Sequence, residues 1–239
     1  MYKRGINPGT KNVKEINFKS ELQEELGEII GAFAGDGNFY FKRDGGYRTM
    51  LFLNETEHAY AKHLKNIIRR TFDVNPRLWR YEKGNMIYLI MHRKRVYEAI
   101  KEYLIWESKN KTYTVHLSRS LESYGPKFIK GFLKGLISTD GSVSYKATGR
   151  GRLTIQFCTS SKNLLDQYNS GLAFFGIDYI SYKRDNHGNT MWATEFSKKS
   201  MIKKFYDNVG LNEARRRDKL QKFIKNNLAR EGIEPSSSA

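Results

Sequence analysis

Two stretches of the chain share one rhythm of apolar and small positions. The first is Leu26-Gly27-Glu28-Ile29-Ile30-Gly31-Ala32-Phe33-Ala34-Gly35-Asp36-Gly37; the second is Gly131-Phe132-Leu133-Lys134-Gly135-Leu136-Ile137-Ser138-Thr139-Asp140-Gly141. Small residues recur every fourth position, at Gly27, Gly31 and Gly35 and then at Gly131, Gly135 and Thr139. Residues four apart share one face of a helix. Each stretch therefore predicts a helix with a smooth stripe along which another backbone can approach closely. A glycine inside a helix costs roughly 1 kcal/mol relative to alanine, and tight helix–helix packing is what offsets three of them. Both stretches end in Asp-Gly, and the two aspartates are 140 − 36 = 104 residues apart. A period of that length marks a duplicated domain rather than a solenoid.

The patterning around the two helices repeats as well. Ser20 is a good N-cap for the first helix, with acidic residues following. Beyond Gly37, residues 38–42 and 47–54 read as strands around the Asp44-Gly45-Gly46 turn. Residues 56–70 have helical periodicity, 77–81 and 85–91 read as a second hairpin, and 94–104 as a closing helix. In the second half, helix 127–138 precedes strands 142–146 and 152–159, helix 161–174, strands 179–183 and 190–196, and helix 198–208. Both halves thus read αββαββα, an α+β class with internal pseudo-twofold symmetry. The predicted organisation is a basic N-terminal arm (1–20), an N-terminal half (21–106), a linker (107–125), a C-terminal half with an additional basic helix (126–228) and a disordered tail (229–239).

Packed stripe to stripe, the two helices would bring Asp36 and Asp140 together at the symmetry axis. Neighbouring carboxylates raise one another's pKa unless a positive charge intervenes. Mg²⁺, a hard ion that favours oxygen ligands and often bridges phosphate, is the natural partner.

Charge narrows the choice of partner. There are 42 Lys plus Arg against 25 Asp plus Glu, a formal charge of +17 that calls for an anionic partner. Fifteen Tyr and 14 Phe supply enough large apolar groups for a folded core. No apolar run reaches membrane-span length and no signal-peptide pattern opens the chain, so the expected location is intracellular, in cytoplasm, nucleoid or organelle matrix. A single cysteine, Cys158, excludes an internal disulfide and a multi-cysteine zinc site, and reads as a buried apolar strand residue. No Walker-type phosphate loop or His-Glu-x-x-His helix occurs, and His58 and His63, five apart, share no helix face well.

The two glycine-striped stretches resemble the paired signature of the LAGLIDADG homing endonucleases in their single-chain form. The nine signature positions fall on Ile29–Gly37 and Leu133–Gly141. The third-position glycine is matched by Gly31 and Gly135, and the closing pair by Asp36-Gly37 and Asp140-Gly141; the sixth position, acidic in the family consensus, is Ala34 and Ser138. The resemblance implies two curved sheets forming a saddle on duplex DNA. It further implies a monomer that uses divalent metal (Mg²⁺, with Mn²⁺ or Ca²⁺ as possible substitutes) to hydrolyse both strands of a long, non-palindromic site. Asp36 and Asp140 would ligate metal together with the backbone carbonyls of Gly35 and Thr139. Asn54 and Thr159 are the nearest matches to the family's water-organising polar residue. His92 or Arg93 and Ser197 or Lys198 are the nearest to its basic residue after the fourth strand, and Lys198 is the one taken as catalytic. An intron-borne origin is also implied.

Alternation supplies candidate DNA contacts. Leu153, Ile155 and Phe157 alternate with Arg152, Thr154 and Gln156, as Phe39 and Phe41 do with Asn38, Tyr40 and Lys42. Outward Arg, Lys, Gln and Asn suit base edges in a major groove, and Arg43, Arg48, Arg77, Arg80, Arg150, Lys183, Arg184 and His187 lie near predicted hairpins. Three rival readings share these features: an RNA maturase that binds intron RNA, an inactive DNA-binding regulator on the same scaffold, and a basic ribosomal or chromatin protein.

Overall fold

A computed structural model describes residues 20–41, 46–81, 84–107, 110–145, 152–186 and 188–230. The N-terminal half runs α1 (Gln23–Asp36), β1 (Gly37–Phe41), β2 (Tyr47–Asn54), α2 (His58–Phe72), β3 (Arg77–Tyr81), β4 (Met86–Met91) and α3 (Lys94–Tyr103). A connecting segment holds β5 (Leu104–Ile105), α4 (Lys111–Thr114) and β6 (His116–Leu117). The C-terminal half repeats the order as α5 (Pro126–Thr139), β7 (Gly141–Tyr145), β8 (Leu153–Thr159), α6 (Lys162–Phe174), β9 (Ile180–Asn186), β10 (Asn189–Phe196) and α7 (Lys199–Asn208), followed by α8 (Ala214–Arg230).

Each half builds one antiparallel sheet, in the orders β1-β2-β4-β3 and β7-β8-β10-β9. The registers correspond: Gly37 pairs with Leu51 and Leu51 with Leu89, while Gly141 pairs with Phe157 and Phe157 with Thr194. Leu51, Leu53, Ile87, Leu89 and Met91 face the helices in one half, and Val143, Leu153, Ile155 and Phe157 in the other. The duplicated α+β architecture is as the patterning predicts.

Helices α1 and α5 form the axis. A methyl added at Gly27 would approach Phe132 N to 2.9 Å, and one at Gly31 would reach Gly135 Cα at 3.1 Å. Additions at Gly131 and Gly135 would overlap the carbonyls of Glu24 and Glu28. Backbone meets backbone at Gly27, Gly31, Gly131 and Gly135, which is why these positions hold glycine.

Three local expectations are corrected. The first α-helix begins at Gln23, because residues 20–22 form a 3₁₀ turn. The β9–β10 hairpin is tighter than predicted, since Gly188 adopts φ 82° and donates its N–H to Asp185 Oδ1 at 2.8 Å. The connection between halves is not plain linker: Leu104 pairs with Leu117, and both are buried. No helix among the described residues is long and apolar enough to cross a membrane.

Candidate active site

The stripe contact fixes where the two acids emerge. Asp36 is the last residue of α1 and Asp140 caps the C-terminus of α5. Gly35 faces Thr139 and Asp140 so closely that an added methyl would lie 2.9 Å from Asp140 Oδ2. Burial, then the neighbouring Asp140 and Glu57 carboxylates, push Asp36 up to about 7. Asp140 is reachable from solvent, yet close packing also raises its pKa, against the opposing pull of Lys111 and Arg216.

Those two cations are the main feature that the sequence reading missed. Lys111, from α4, donates its ammonium to the carbonyls of Gly35 (2.8 Å) and Ala34 (3.0 Å). Arg216, from α8, donates to the carbonyls of Ser138 (2.7 Å), Thr139 (3.2 Å) and Gly141 (3.0 Å). Free carbonyls at a helix C-terminus carry partial negative charge and attract cations. Each motif helix therefore ends on its own side-chain cation. Glu57 and Glu213 hold the Arg216 guanidinium at 3.2 and 3.3 Å. Lys111 lacks such support: burial lowers its pKa to about 8, with the attraction of Asp140 and Asp36 opposing. A signal existed in the sequence, because 216 − 111 = 105 nearly equals the 104-residue period of the motifs. Periodicity alone does not say which of many basic residues will fold back.

The donor set suits a hard divalent ion. Two carboxylates and the Gly35 and Thr139 carbonyls are all oxygen, and burial and the neighbouring carboxylates together hold Asp36 near 7. Among the described residues no group of three or more His, Cys, Asp or Glu is arranged to hold a metal. An ion here would complete its shell with water or phosphate. Beside the pair lies a pocket of about 210 Å³ lined by Gly35, Lys111, Asp140, Cys158, Thr159 and Met191, among others.

Comparison with known proteins follows the same lines. Residues 127–210 match the family model described as LAGLIDADG-like domain. The homing endonuclease I-DmoI, solved bound to DNA and Ca, superposes with a TM-score of 0.59 at 16% identity, covering 79% of this chain and 90% of that one. The C-terminal half thus carries a LAGLIDADG-like domain, and the whole chain shares the fold of these endonuclease structures. The N-terminal LAGLIDADG domain of DUF199/WhiA also superposes, with a TM-score of 0.52, 14% identity and coverage of 82% and 85%. A curated relative, a replication factor C small subunit of Thermococcus kodakarensis, is 22% identical over 223 residues; the match spans 92% of this chain but only 23% of that protein.

Against the LAGLIDADG pattern, the remaining predicted residues divide. Asn54 is engaged in a cap: its Oδ1 accepts from Thr56 N at 3.0 Å, while its own N–H donates to Glu57 Oε2 at 2.9 Å. Thr159 Oγ1 accepts from Ser161 N at 3.1 Å in the same manner, but also lines the pocket beside Asp140. Lys198 stands exposed at the start of α7 and lines a different groove with Phe223 and Ile224; it is not among the pocket residues. Lys111 and Arg216 are the cations that reach the ends of the motif helices. Cys158 is half-buried on the outward side of β8 rather than in the core.

Asn38, Tyr40, Arg77, Arg152, Lys183 and Arg184 are exposed on or beside the sheets. Arg80 is exposed and pairs with Glu55, and Arg48 is half-buried beside Tyr40. Gln156 is tied to Tyr182 Oη (2.7 Å) and Glu195 (3.1 Å), so reading a base would require releasing that network. Thr154 departs from the expected exposed position: it is buried, with Oγ1 lacking a hydrogen-bond partner. Lys42, Arg43, Arg150 and His187 lie outside the described residues.

Proposed function

We propose that the protein is a monomeric, site-specific double-stranded DNA endonuclease that requires a divalent metal, Mg²⁺ in the first instance. The observation that carries this reading is the pair of acids delivered by one glycine-lined helix contact, with Asp36 held near 7. Asp36, Asp140 and the Gly35 and Thr139 carbonyls would hold the ion. Bound there, it would supply charge for the scissile phosphate and a lower pKa for the attacking water.

The chain's own groups do the rest. Lys111 and Arg216 bring two positive charges to the helix ends, where a phosphodiester would otherwise meet two carboxylates. Glu57 and Glu213 orient the Arg216 guanidinium. The outward faces of the two sheets, with Asn38, Tyr40, Arg77, Arg152 and Arg184, offer side chains to a major groove wide enough for a β-ribbon. The two faces differ in sequence, which suits a non-palindromic site.

Asp36→Asn and Asp140→Asn variants test this reading. Each is expected to retain binding to the selected duplex while losing double-strand cleavage with Mg²⁺. Unchanged cleavage by both variants would refute the mechanism.

One observation favours a second reading. Side-chain cations already engage the carbonyls expected to meet metal, as would suit a protein that binds nucleic acid without cutting it: a regulator on DNA, or a maturase on intron RNA. Mg²⁺-dependent cleavage of a selected duplex separates the two.

A further inference from the structure

The corresponding registers allow the outward faces of the two sheets to be compared row by row. In the N-terminal sheet one row across β2, β4 and β3 is Phe52, Tyr88 and Trp79. The equivalent row across β8, β10 and β9 is Cys158, Ala193 and Tyr182. The neighbouring row is Met50, Ile90 and Arg77 in the first half, against Gln156, Glu195 and Ile180 in the second. The first face carries a row of mutually packed aromatic rings; the second ties Gln156, Tyr182 and Glu195 into a hydrogen-bonded network with Ile180 exposed beside it.

The aromatic row is a built surface. Tyr88 packs edge-on to Phe52 (5.0 Å between centroids) and stacks on Trp79 (5.1 Å), and Tyr81 closes on both Trp79 and Tyr88. Trp79 and Tyr81 nevertheless remain 43% and 37% exposed. Large apolar groups left together in water on an outward face mark a binding surface. It is continuous, through β2, with Asn38 and Tyr40 on β1, the strand that leaves Asp36. Arg77, two residues before Trp79 on the same side of the edge strand, stands exposed, so the occupant is anionic at its rim and apolar where it meets the rings. Bases paired in a duplex offer no free face for stacking. In the major groove, the apolar group they present is the thymine C5 methyl.

We propose that the N-terminal sheet recognises thymine-rich sequence by seating C5 methyl groups against Phe52, Trp79 and Tyr88. The inference rests on the protein being a sequence-specific duplex-DNA binder. Each methyl seated this way contributes about three- to fourfold in affinity, the worth of one buried methylene-sized group.

The test enriches a randomised duplex library on the intact protein with Ca²⁺, then replaces thymine by deoxyuridine in one half of the enriched site at a time. Affinity is expected to fall about three- to fourfold per contacted methyl in one half only. Trp79→Ser should reduce that sensitivity, while the protein still unfolds in one cooperative transition a few degrees lower at most. Enrichment with equal tolerance of deoxyuridine in both halves overturns this inference alone, as does full sensitivity in the Trp79→Ser protein. Preference for single-stranded RNA, or a change from dimer to monomer on Trp79→Ser, assigns the face to another occupant and also overturns it. Failure to enrich any duplex overturns the DNA-binding reading itself, and this inference with it.

Discussion

Lys111 and Arg216 stand in equivalent places at the ends of the two motif helices. The first donates to Gly35 O at 2.8 Å and the second to Thr139 O at 3.2 Å. They are not equal chemically. Arg216 is braced by Glu57 and Glu213, and a guanidinium stays charged throughout the physiological range. Lys111 titrates near 8 and has no carboxylate within ion-pair distance among the described pairs.

Loss of either cation is therefore expected to impair catalysis more than binding. Lys111→Met and Arg216→Met should each lower cleavage roughly 10²-fold, the scale on which removing one preorganised charge acts. Conversion of supercoiled plasmid to nicked and linear forms reads the effect. Accumulation of nicked product would show that each cation serves one strand.

Stability of the metal-free protein should depend on pH through Asp36. Its pKa is raised from 3.8 to about 7, so between those values the folded chain holds a proton that the unfolded chain has lost. Stability then falls as pH rises through that window. Lys111 acts in the opposite sense: lowered from 10.5 to about 8, it makes stability rise with pH between those values. Urea denaturation in EDTA should show a decline from pH 4 to 7 that flattens in Asp36→Asn.

A divalent ion that binds the folded acid pair must stabilise it by mass action. Millimolar Mg²⁺ or Ca²⁺ should raise the unfolding midpoint of the native protein at pH 7.5. The double variant Asp36→Asn/Asp140→Asn should give no such shift in differential scanning fluorimetry.

The helix contact admits no side chain. Gly31→Ala would drive a methyl to 3.1 Å of Gly135 Cα and closer to Phe132 O, with backbone on every side. A cost of about 3 kcal/mol or more is expected from overpacking that cannot relax. Gly84→Ala, where the new methyl would meet only the Tyr81 ring at 3.2 Å, is the control that should cost far less.

Much of this was legible in the chain because it depends on local pattern. Glycines at four-residue spacing announce a backbone contact, so α1, α5 and the meeting of Asp36 with Asp140 could be read directly. Alternation in β8 correctly placed Leu153, Ile155 and Phe157 inward. What escaped depends on contacts far apart in sequence. Nothing near Lys111 says that it reaches residues 76 and 77 positions earlier, and nothing near Gln156 says that Tyr182 and Glu195 will engage it. Thr154 shows the limit of alternation: it gives the side of the strand, and neighbouring structure decides exposure.

The short helix α4 and the long helix α8 each follow a complete αββαββα unit and each return a cation to that unit's own motif helix. The segment that follows each αββαββα core therefore completes that half's own helix end, and what joins the halves is part of the first site. A chimera assembled by fusing this N-terminal half to a foreign partner through an artificial spacer would discard Lys111 with the tether, and should be cut after Thr114 rather than before it.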